Sequence, residues 1–386
     1  MKKFLICVLA LLAVTALFLP ERAYADELGD SIDEQLGELD LSELEEYLER
    51  LKEESGNFFQ YGFLEEVKDI LNGKFNVDYG NLLSGVLGAL LGGVYDLMPT
   101  FLSVVAIAVF CGIFNASKGD FLSDEIRNLI FFVCFSCVVL LLINVVFILI
   151  ENTRNTINNI ANFNEIMSPV IFTLMAASGG TVSVSVYQPA VAFLTNGIVR
   201  IILDAVLPLS TLMMVFSVVS NLSVSTKLTR FVEFFGSLNK WLIGISFTVF
   251  TFFLSVQGIT AGGIDGISLR ATKYAISNSI PIVGGYLKDG VDLVIASSVL
   301  IKNAVGVVGI IAVFFVILSP LLCIMSFQLL LKLTSAVIEP LGDGRLSGFC
   351  ASLSKNVNYL TASILSVGLM LFLTITLIIC SANAFI

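Results

Sequence analysis

The chain contains no histidine, a single tryptophan and few charged residues: Asp, Glu, Lys and Arg make up 13% of its 386 residues. Without histidine, it can form no Ser–His or Cys–His nucleophile pair and no histidine metal site. The phosphate-binding sequence G-x-x-x-x-G-K-[ST] is also missing, which excludes a P-loop ATPase. Among seven scattered cysteines, Cys134 and Cys137 form a CxxC inside an apolar run, where a buried thiol is inert. We therefore expect no enzyme, no cofactor and no metal site.

The low charge accompanies a high apolar content, because 56% of the residues are hydrophobic. A soluble domain is about one quarter charged, so this composition predicts an integral membrane protein. The net charge of −10 is local: residues 26–66 hold fifteen acidic and two basic residues, whereas residues 67–386 hold sixteen basic and fifteen acidic ones. The membrane part is thus nearly neutral, and no broad basic surface for nucleic acid is present.

The first 25 residues have the pattern of a secretory signal peptide. Lys2 and Lys3 precede the apolar run Phe4–Leu19, and the small-x-small sequence "AYA" follows at residues 23–25. This order predicts a signal peptide over residues 1–25 with cleavage after Ala25; the alternative is an uncleaved anchor helix. In either case we expect the following residues to begin outside the cytoplasm.

Residues 26–80 are predicted to form an acidic, amphipathic extracytoplasmic segment. Ser42 and Glu45 fit a capping box at a helix start. Apolar residues recur at helical spacing with acids around them, at Leu28, Ile32, Leu36, Leu39, Leu44, Leu48 and Leu51. Two interpretations remain open: a solvated acidic face, or a docking helix for a partner outside the membrane.

Residues 81–386 are predicted to be a polytopic helical membrane domain, so the fold class is all-α. The clearest spans are Pro99–Phe114, Leu129–Ile150, Trp241–Gln257, Val305–Leu331 and Leu360–Cys380. Residues 169–222 are apolar but interrupted by glycines, prolines and charges, and we expect broken or paired segments there.

Basic residues predict the orientation of the spans. The loops 223–240 and 332–358 each hold three Lys or Arg residues and should face the cytoplasm. Reaching the inside by residue 223 then requires one or three crossings within 169–222. The same reasoning places the stretch 258–302 outside, although it carries four basic residues. That placement conflicts with the positive-inside rule.

Two sets of residues within the apolar runs are unusual. Arg200 and Asp204 are four positions apart on one helix face and predict an intramembrane ion pair. The pair would either line a conduit or only neutralise itself to permit insertion. Ser84, Gly88 and Gly92 form a ridge of small residues, which favours close packing against another helix.

The stretch "QGITAGGIDGISLRATKYAISNSIPIVGGYLKDG", residues 257–290, is polar and rich in glycine between two apolar runs. It predicts non-helical backbone at "TAGGIDG", then a helix, then a turn at "PIVGG". Such backbone near a membrane must be buried in protein or face water, which favours a re-entrant or interfacial element in a polar cavity. The candidate functional surface comprises Gly262, Gly263, Asp265, Arg270, Lys273, Pro281, Gly284 and Gly285. The alternative is that its two cations merely reach the membrane interface.

The sequences "LNKWLIGISFTVFTFFLSVQG" and "SLRATKYAISNSIPIVGGYLKDG" resemble the stage III sporulation protein AE family of endospore-forming bacteria. The resemblance is specific over residues 237–310 and weak in the N-terminal segment. It implies a multi-pass protein of the mother-cell membrane around the forespore. There it would act with other stage III sporulation proteins, including ring-forming membrane proteins and a cytoplasmic ATPase, in a secretion-like channel needed for forespore development. It implies no catalytic residue.

Two functions therefore stay open. The chain is either a structural and conducting subunit of that channel or a stand-alone secondary transporter for a small solute. Membrane lipid is an expected contact of either, nucleic acid is not, and a homo-oligomer is compatible with both.

Overall fold

The computed structural model describes residues 26–39, 41–55, 63–73, 79–116, 123–222, 228–279, 283–341 and 344–381. Nearly all of these residues are helical and none of them forms a strand, which confirms the all-α prediction. The predicted signal peptide lies outside the described residues, and the domain boundary near residue 80 stays a prediction. In chain order the helices are α1 (Asp26–Glu38), α2 (Ser42–Ser55), α3 (Phe63–Leu71), α4 (Tyr79–Ala116), α5 (Asp124–Ala177), α6 (Thr181–Ile201), α7 (Leu207–Leu222), α8 (Thr229–Ser279), α9 (Val283–Leu341) and α10 (Gly344–Ser381).

The three short helices α1–α3 pack on the long helices of the same chain. Ile32, Leu36, Leu44 and Leu48 of the predicted apolar stripe are buried, and all three helices contact α9. The acidic side chains of α1 are exposed at Asp30, Asp33, Glu34 and Glu38. The stripe thus has its partner within the chain, while the acids face outward.

Hydrogen bonds join α1 to α9 as well. Gln35 Nε2 donates to Ser297 Oγ at 2.8 Å, and Ser298 Oγ donates to Gln35 Oε1 at 2.9 Å. On α2, the Tyr47 hydroxyl donates to the backbone oxygen of Asn159 in α5 at 2.6 Å. Side-chain bonds of this kind fix the position of each short helix, because apolar contacts alone are non-directional.

Within the described residues, six helices are long and apolar enough to cross a membrane. These candidate spans are Leu83–Phe114, Glu125–Ala177, Thr181–Leu222, Thr229–Val256, Tyr286–Pro340 and Gly344–Ser381. They contain the five predicted spans, apart from the last residue of Trp241–Gln257, and supply one more. At 54 residues, α5 is about 80 Å long, well beyond the ~30 Å hydrocarbon core of a bilayer.

The region predicted to be broken, 169–222, forms one helical hairpin. Helix α5 ends at a tight turn in which Gly179 has a φ of 96°, a conformation that favours glycine. The chain then forms α6, a π turn over Ile202–Val206 and α7 without a gap. The π turn ends two residues before Pro208, whose missing N–H interrupts the α-helical ladder. Of the one or three crossings predicted here, the structure supports one.

Helix α9 is the centre of the bundle. In the most apolar stretch of α9, 72% of the residues are buried, whereas 22% are buried in the most apolar stretch of α8. Glycines permit this packing: a methyl group at Gly368 of α10 would collide with Ile317, and one at Gly306 would lie 2.5 Å from Ile379. Bulky side chains of the opposing helix occupy the space that a Cβ would need.

Contacts show which helix ends lie together. The α5–α6 turn meets α8, since a methyl group at Gly179 would lie 3.0 Å from Leu269. At the opposite end, Arg345 at the start of α10 stacks over the ring of Phe131 in α5. Six alternating crossings therefore place α1–α3, the α5–α6 turn and the end of α8 on one side, and the basic loops on the other. The end of α8 therefore shares a side with α1–α3, and the outside position of 258–302 stays a prediction.

Candidate functional site

The described residues of the glycine-rich stretch predicted as a functional surface, 257–279 and 283–290, are helical. Gly262 and Gly263 lie inside α8, and Gly284 and Gly285 lie in the first turn of α9, while Pro281 lies outside the described residues. The predicted non-helical backbone at "TAGGIDG" is therefore wrong. Glycine costs a helix about 1 kcal/mol per residue, whereas an unbonded peptide group in apolar surroundings costs several kcal/mol. The helix is thus the cheaper arrangement.

Asp265 is buried in a contact between helices rather than displayed on a surface. It is 1% exposed, and its two carboxylate oxygens accept hydrogen bonds from the backbone N–H groups of Val182 (2.9 Å) and Ser183 (3.1 Å). These N–H groups belong to the first turn of α6, which has no acceptor within its own helix. A carboxylate at this position also interacts favourably with the helix dipole. Asp265 on α8 thus caps α6.

Two buried hydroxyl groups lie in the first two turns of α6, on the same helix face as the cap. Ser183 and Tyr187 are each 1% exposed, and neither hydroxyl has a hydrogen-bond partner in the part of the chain that the structure describes. Tyr187 lies close enough to Asp265 to interact with its charge. The carboxylate and the two hydroxyls together form a buried polar cluster between α6 and α8.

The two cations of the predicted surface have different surroundings. Lys273 forms a salt bridge with Asp292 of α9, with Nζ and Oδ1 2.5 Å apart. Arg270 is exposed. Lys273 therefore joins α8 to α9, and Arg270 is the one of these two cations that can meet a partner or the surrounding water.

A second polar cluster joins α7, α8 and α10 inside the bundle. Asn239 is fully buried and its Nδ2 donates to Ser210 Oγ at 3.0 Å, while Asn356 Nδ2 donates to the backbone oxygen of Met213 at 3.3 Å. Further bonds along the same seam join Ser217 to Ser352 and Tyr359 to the backbone of Gly236. Hydrogen bonds between membrane helices hold neighbouring helices in register. Within the described residues, the Asn239 Oδ1 acceptor has no partner.

A buried cation caps the end of α10. Lys302 is fully buried, and its Nζ donates to the backbone oxygens of Ile378 (3.3 Å) and Ile379 (3.0 Å) in the last turns of α10. It forms no salt bridge with any described residue. The ammonium adds a donor at the C-terminal end of α10, where the backbone N–H donors run out, and it lies at the negative end of the helix dipole.

The predicted ion pair does not form within this chain. Arg200 and Asp204 are both exposed near the middle of their span, and neither makes a salt bridge to another described residue. A π turn begins at Ile202, between the two charges, and changes their relative direction. Whether the pair has a role stays a prediction.

The predicted ridge of small residues faces away from the bundle at Gly88 and Gly92, where an added methyl group would meet nothing within 4 Å. The close contact lies one residue further on. A methyl group at Gly93 would lie 2.9 Å from Ser326 Oγ of α9, and this hydroxyl donates to the backbone oxygen of Leu90 at 3.0 Å. Ser84, at the start of the ridge, is exposed. Helix α4 therefore packs on α9 through its neighbouring face.

Sequence reasoning missed Lys302 and Asn239 as site residues. Each is a polar residue beside a long apolar run, and that signal alone could have identified them. It could not show that Lys302 meets the end of α10, 76 residues away. No group of three or more metal-ligating side chains occurs in the described ranges.

These features define a multi-pass helical membrane protein whose buried polar groups bond between helices. The chain belongs to the stage III sporulation protein AE family, whose model matches residues 61–382. It is similar to stage III sporulation protein AE of Bacillus subtilis (strain 168), with 29% identity over 281 residues, 73% of this chain and 70% of that protein. No solved structure matches the chain significantly. The resemblance predicted from residues 237–310 is thereby confirmed.

Proposed function

We propose that this chain is a membrane subunit of a sporulation-specific, secretion-like channel complex between mother cell and forespore, needed for forespore development. The family match over residues 61–382 carries the proposal. Its partners would be other stage III sporulation proteins, including ring-forming membrane proteins and a cytoplasmic ATPase. Its place would be the mother-cell membrane around the forespore, and its role is not enzymatic.

The architecture supports a subunit role in three ways. Six helices of the described part of the chain can span the membrane, buried polar residues hold α7, α8 and α10 together, and α1–α3 add a helical layer at one end. That end presents exposed acids on α1 and the exposed Arg270 on α8. Two unlike charged surfaces at one end of the bundle are suited to contacts with other proteins.

Co-purification from the membranes of sporulating cells tests the proposal. We expect the tagged chain to bring down other stage III sporulation proteins, and cells lacking it to form few spores. If the chain purifies alone from such membranes while sporulation proceeds normally, the proposed role is wrong.

Arg270 provides a sharper test of the outer surface. We expect Arg270→Gln to accumulate normally and to reduce recovery of partners and spore formation, because it removes an exposed charge without changing the fold. Arg154→Gln, which removes an exposed charge from α5, is the matched control. Lys273→Gln should instead weaken the α8–α9 contact through loss of its bond to Asp292. Wild-type spore counts and partner recovery with Arg270→Gln would show that this surface is only solvated.

The alternative is a stand-alone secondary transporter. Its support is the polar cluster around Asp265 together with the π turn in the third candidate span, since transporter sites are built at interrupted helices. Vesicles containing only this chain separate the two functions. A transporter moves solute alone, whereas a channel subunit requires its partners.

A further inference from the structure

Three charges lie on the outside of the bundle, near the middle of candidate spans. Asp96 is exposed on α4, within the span Leu83–Phe114, and Arg200 and Asp204 are exposed within the span Thr181–Leu222. None of the three forms a salt bridge in the described part of the chain. A charge at the centre of a bilayer costs about 2.5–3.5 kcal/mol even on insertion scales, so such groups rarely face lipid. Each of these side chains therefore needs a cover that the described residues of this chain do not supply.

Small residues accompany the charge on α4. Gly88 and Gly92 precede Asp96 at four-residue spacing and lie on one helical stripe with it. An added methyl group at either glycine would meet nothing within 4 Å, and the neighbouring Tyr95 is 79% exposed. A second helix can approach this stripe closely, with a donor directed at the carboxylate.

Helix α6 carries a similar stripe, with a positive charge instead of a negative one near the middle of its candidate span. An added methyl group at Gly197 would also meet nothing within 4 Å. Arg200 follows Gly197 by three residues, and Phe193 on the same helix is 80% exposed. Helices α4 and α6 both start at the end where α1–α3 lie, so they run in the same direction through the membrane. Their charged residues near mid-span therefore have similar depths in copies that share one orientation.

We propose that the α4 stripe (Gly88, Gly92, Asp96) of one copy packs against the α6 stripe (Gly197, Arg200) of a second copy of this chain, next to the π turn that carries Asp204. The guanidinium of Arg200 has five donors in a fixed fork and can pair with the carboxylate of Asp96 on the neighbouring copy. One chain thus supplies both halves of the contact, which favours a second copy over an unrelated membrane protein.

The two stripes are different surfaces of the molecule, since α4 packs on α5 and α9 whereas α6 packs on α5 and α8. A contact between unlike surfaces repeats from copy to copy and closes into a ring if the rotation permits. This inference goes beyond the proposed function. It concerns the contact of the chain with itself, and its failure would leave a role as a single-copy channel subunit untouched.

Photo-cross-linking tests the contact in the full chain, produced in a bacterial membrane without other sporulation proteins. With benzoylphenylalanine in place of Tyr95, we expect cross-linked species of two or more chain masses, with the cross-linked peptide containing residues 193–204. Benzoylphenylalanine in place of Leu140, which is 65% exposed on α5, is the matched control and should give far less. Absence of cross-linked chains from position 95, or a cross-link to another region, would overturn the proposal.

Charge substitutions provide a second measurement, on co-purification of two differently tagged copies. Asp96→Asn should weaken self-association about three- to twentyfold, the range of hydrogen bonds between membrane helices, and Asp96→Arg should weaken it further. Combining Asp96→Arg with Arg200→Asp should restore association, because the opposite charges face each other again. If Asp96→Arg accumulates normally and associates like the wild type, or if the double reversal restores nothing, the pairing is wrong.

Discussion

Replacing Asp265 tests the contact that holds α6 against α8. The carboxylate accepts two backbone hydrogen bonds from the first turn of α6 and is 1% exposed. We expect Asp265→Ala to leave both N–H groups buried without an acceptor, and Asp265→Asn to keep an acceptor oxygen but remove the charge. Asp289 is exposed near the start of α9, so Asp289→Ala is the matched control.

The magnitude follows from three overlapping contributions. Loss of a capping side chain costs about 0.5–2 kcal/mol. An orphaned buried N–H costs about 1–3 kcal/mol, and a partly buried charge at a helix N-terminus contributes up to ~2 kcal/mol. Because these describe the same bonds, we expect about 2–4 kcal/mol for Asp265→Ala. The charge alone suggests about 1–2 kcal/mol for Asp265→Asn, and a surface change such as Asp289→Ala stays below about 0.5 kcal/mol.

Unfolding of the purified protein in mixed detergent micelles measures the free energy, and hydrogen exchange locates the effect. The amides of Val182 and Ser183 should exchange faster in Asp265→Ala than in the wild type, while those in the buried middle of α9 change little. Equal stability of the Asp265→Ala and Asp289→Ala proteins, with unchanged exchange at the start of α6, would refute the capping role.

Three further substitutions have definite expected outcomes. Gly93→Leu should reduce accumulation of the protein in the membrane, because the new side chain would collide with Ser326. Gly88→Leu should accumulate normally, because in the single chain its side chain would enter open space. Equal accumulation of the two variants on immunoblots would contradict this packing. Gln35→Ala removes the hydrogen bonds of α1 to α9, at a cost of about 1–2 kcal/mol, and should make α1 more sensitive to limited proteolysis. Glu34 is exposed, so Glu34→Ala should not have this effect. Identical cleavage of the two variants would argue against a role for the Gln35 hydrogen bonds. Lys302→Met loses two hydrogen bonds but also removes a buried charge, so this variant should still accumulate in the membrane. Lys302→Glu should not accumulate, because its carboxylate would face the carbonyl oxygens at the end of α10. Similar levels of the two variants would refute that account.

Part of the candidate site could be predicted from the sequence. The polar character of residues 257–290 and the presence of Asp265 and Lys273 were recognised there, but their surroundings were not. Asp265 meets a helix start 82 and 83 positions earlier in the chain, and Lys273 meets Asp292 across the α8–α9 connection. Periodicity reports which face of a helix is apolar or polar; it does not report which distant helix lies against that face.

The sequence by itself determined the class of this protein and the approximate position of its spans. Long apolar runs have few alternatives in water or lipid, because their backbone groups must bond within a helix and their side chains must leave water. The acidic segment and its apolar stripe were determined in the same way, by composition and spacing.

Only the tertiary structure decided how glycine and charge are used. Glycine is compatible with a turn, a flexible segment or a close contact: Gly179 makes a turn, Gly93 lies against α9, and Gly262 lies within a continuous helix. A buried charge is stable only where distant groups satisfy it. The position of Lys302 at the end of α10 therefore depended on helices far apart in the chain coming together.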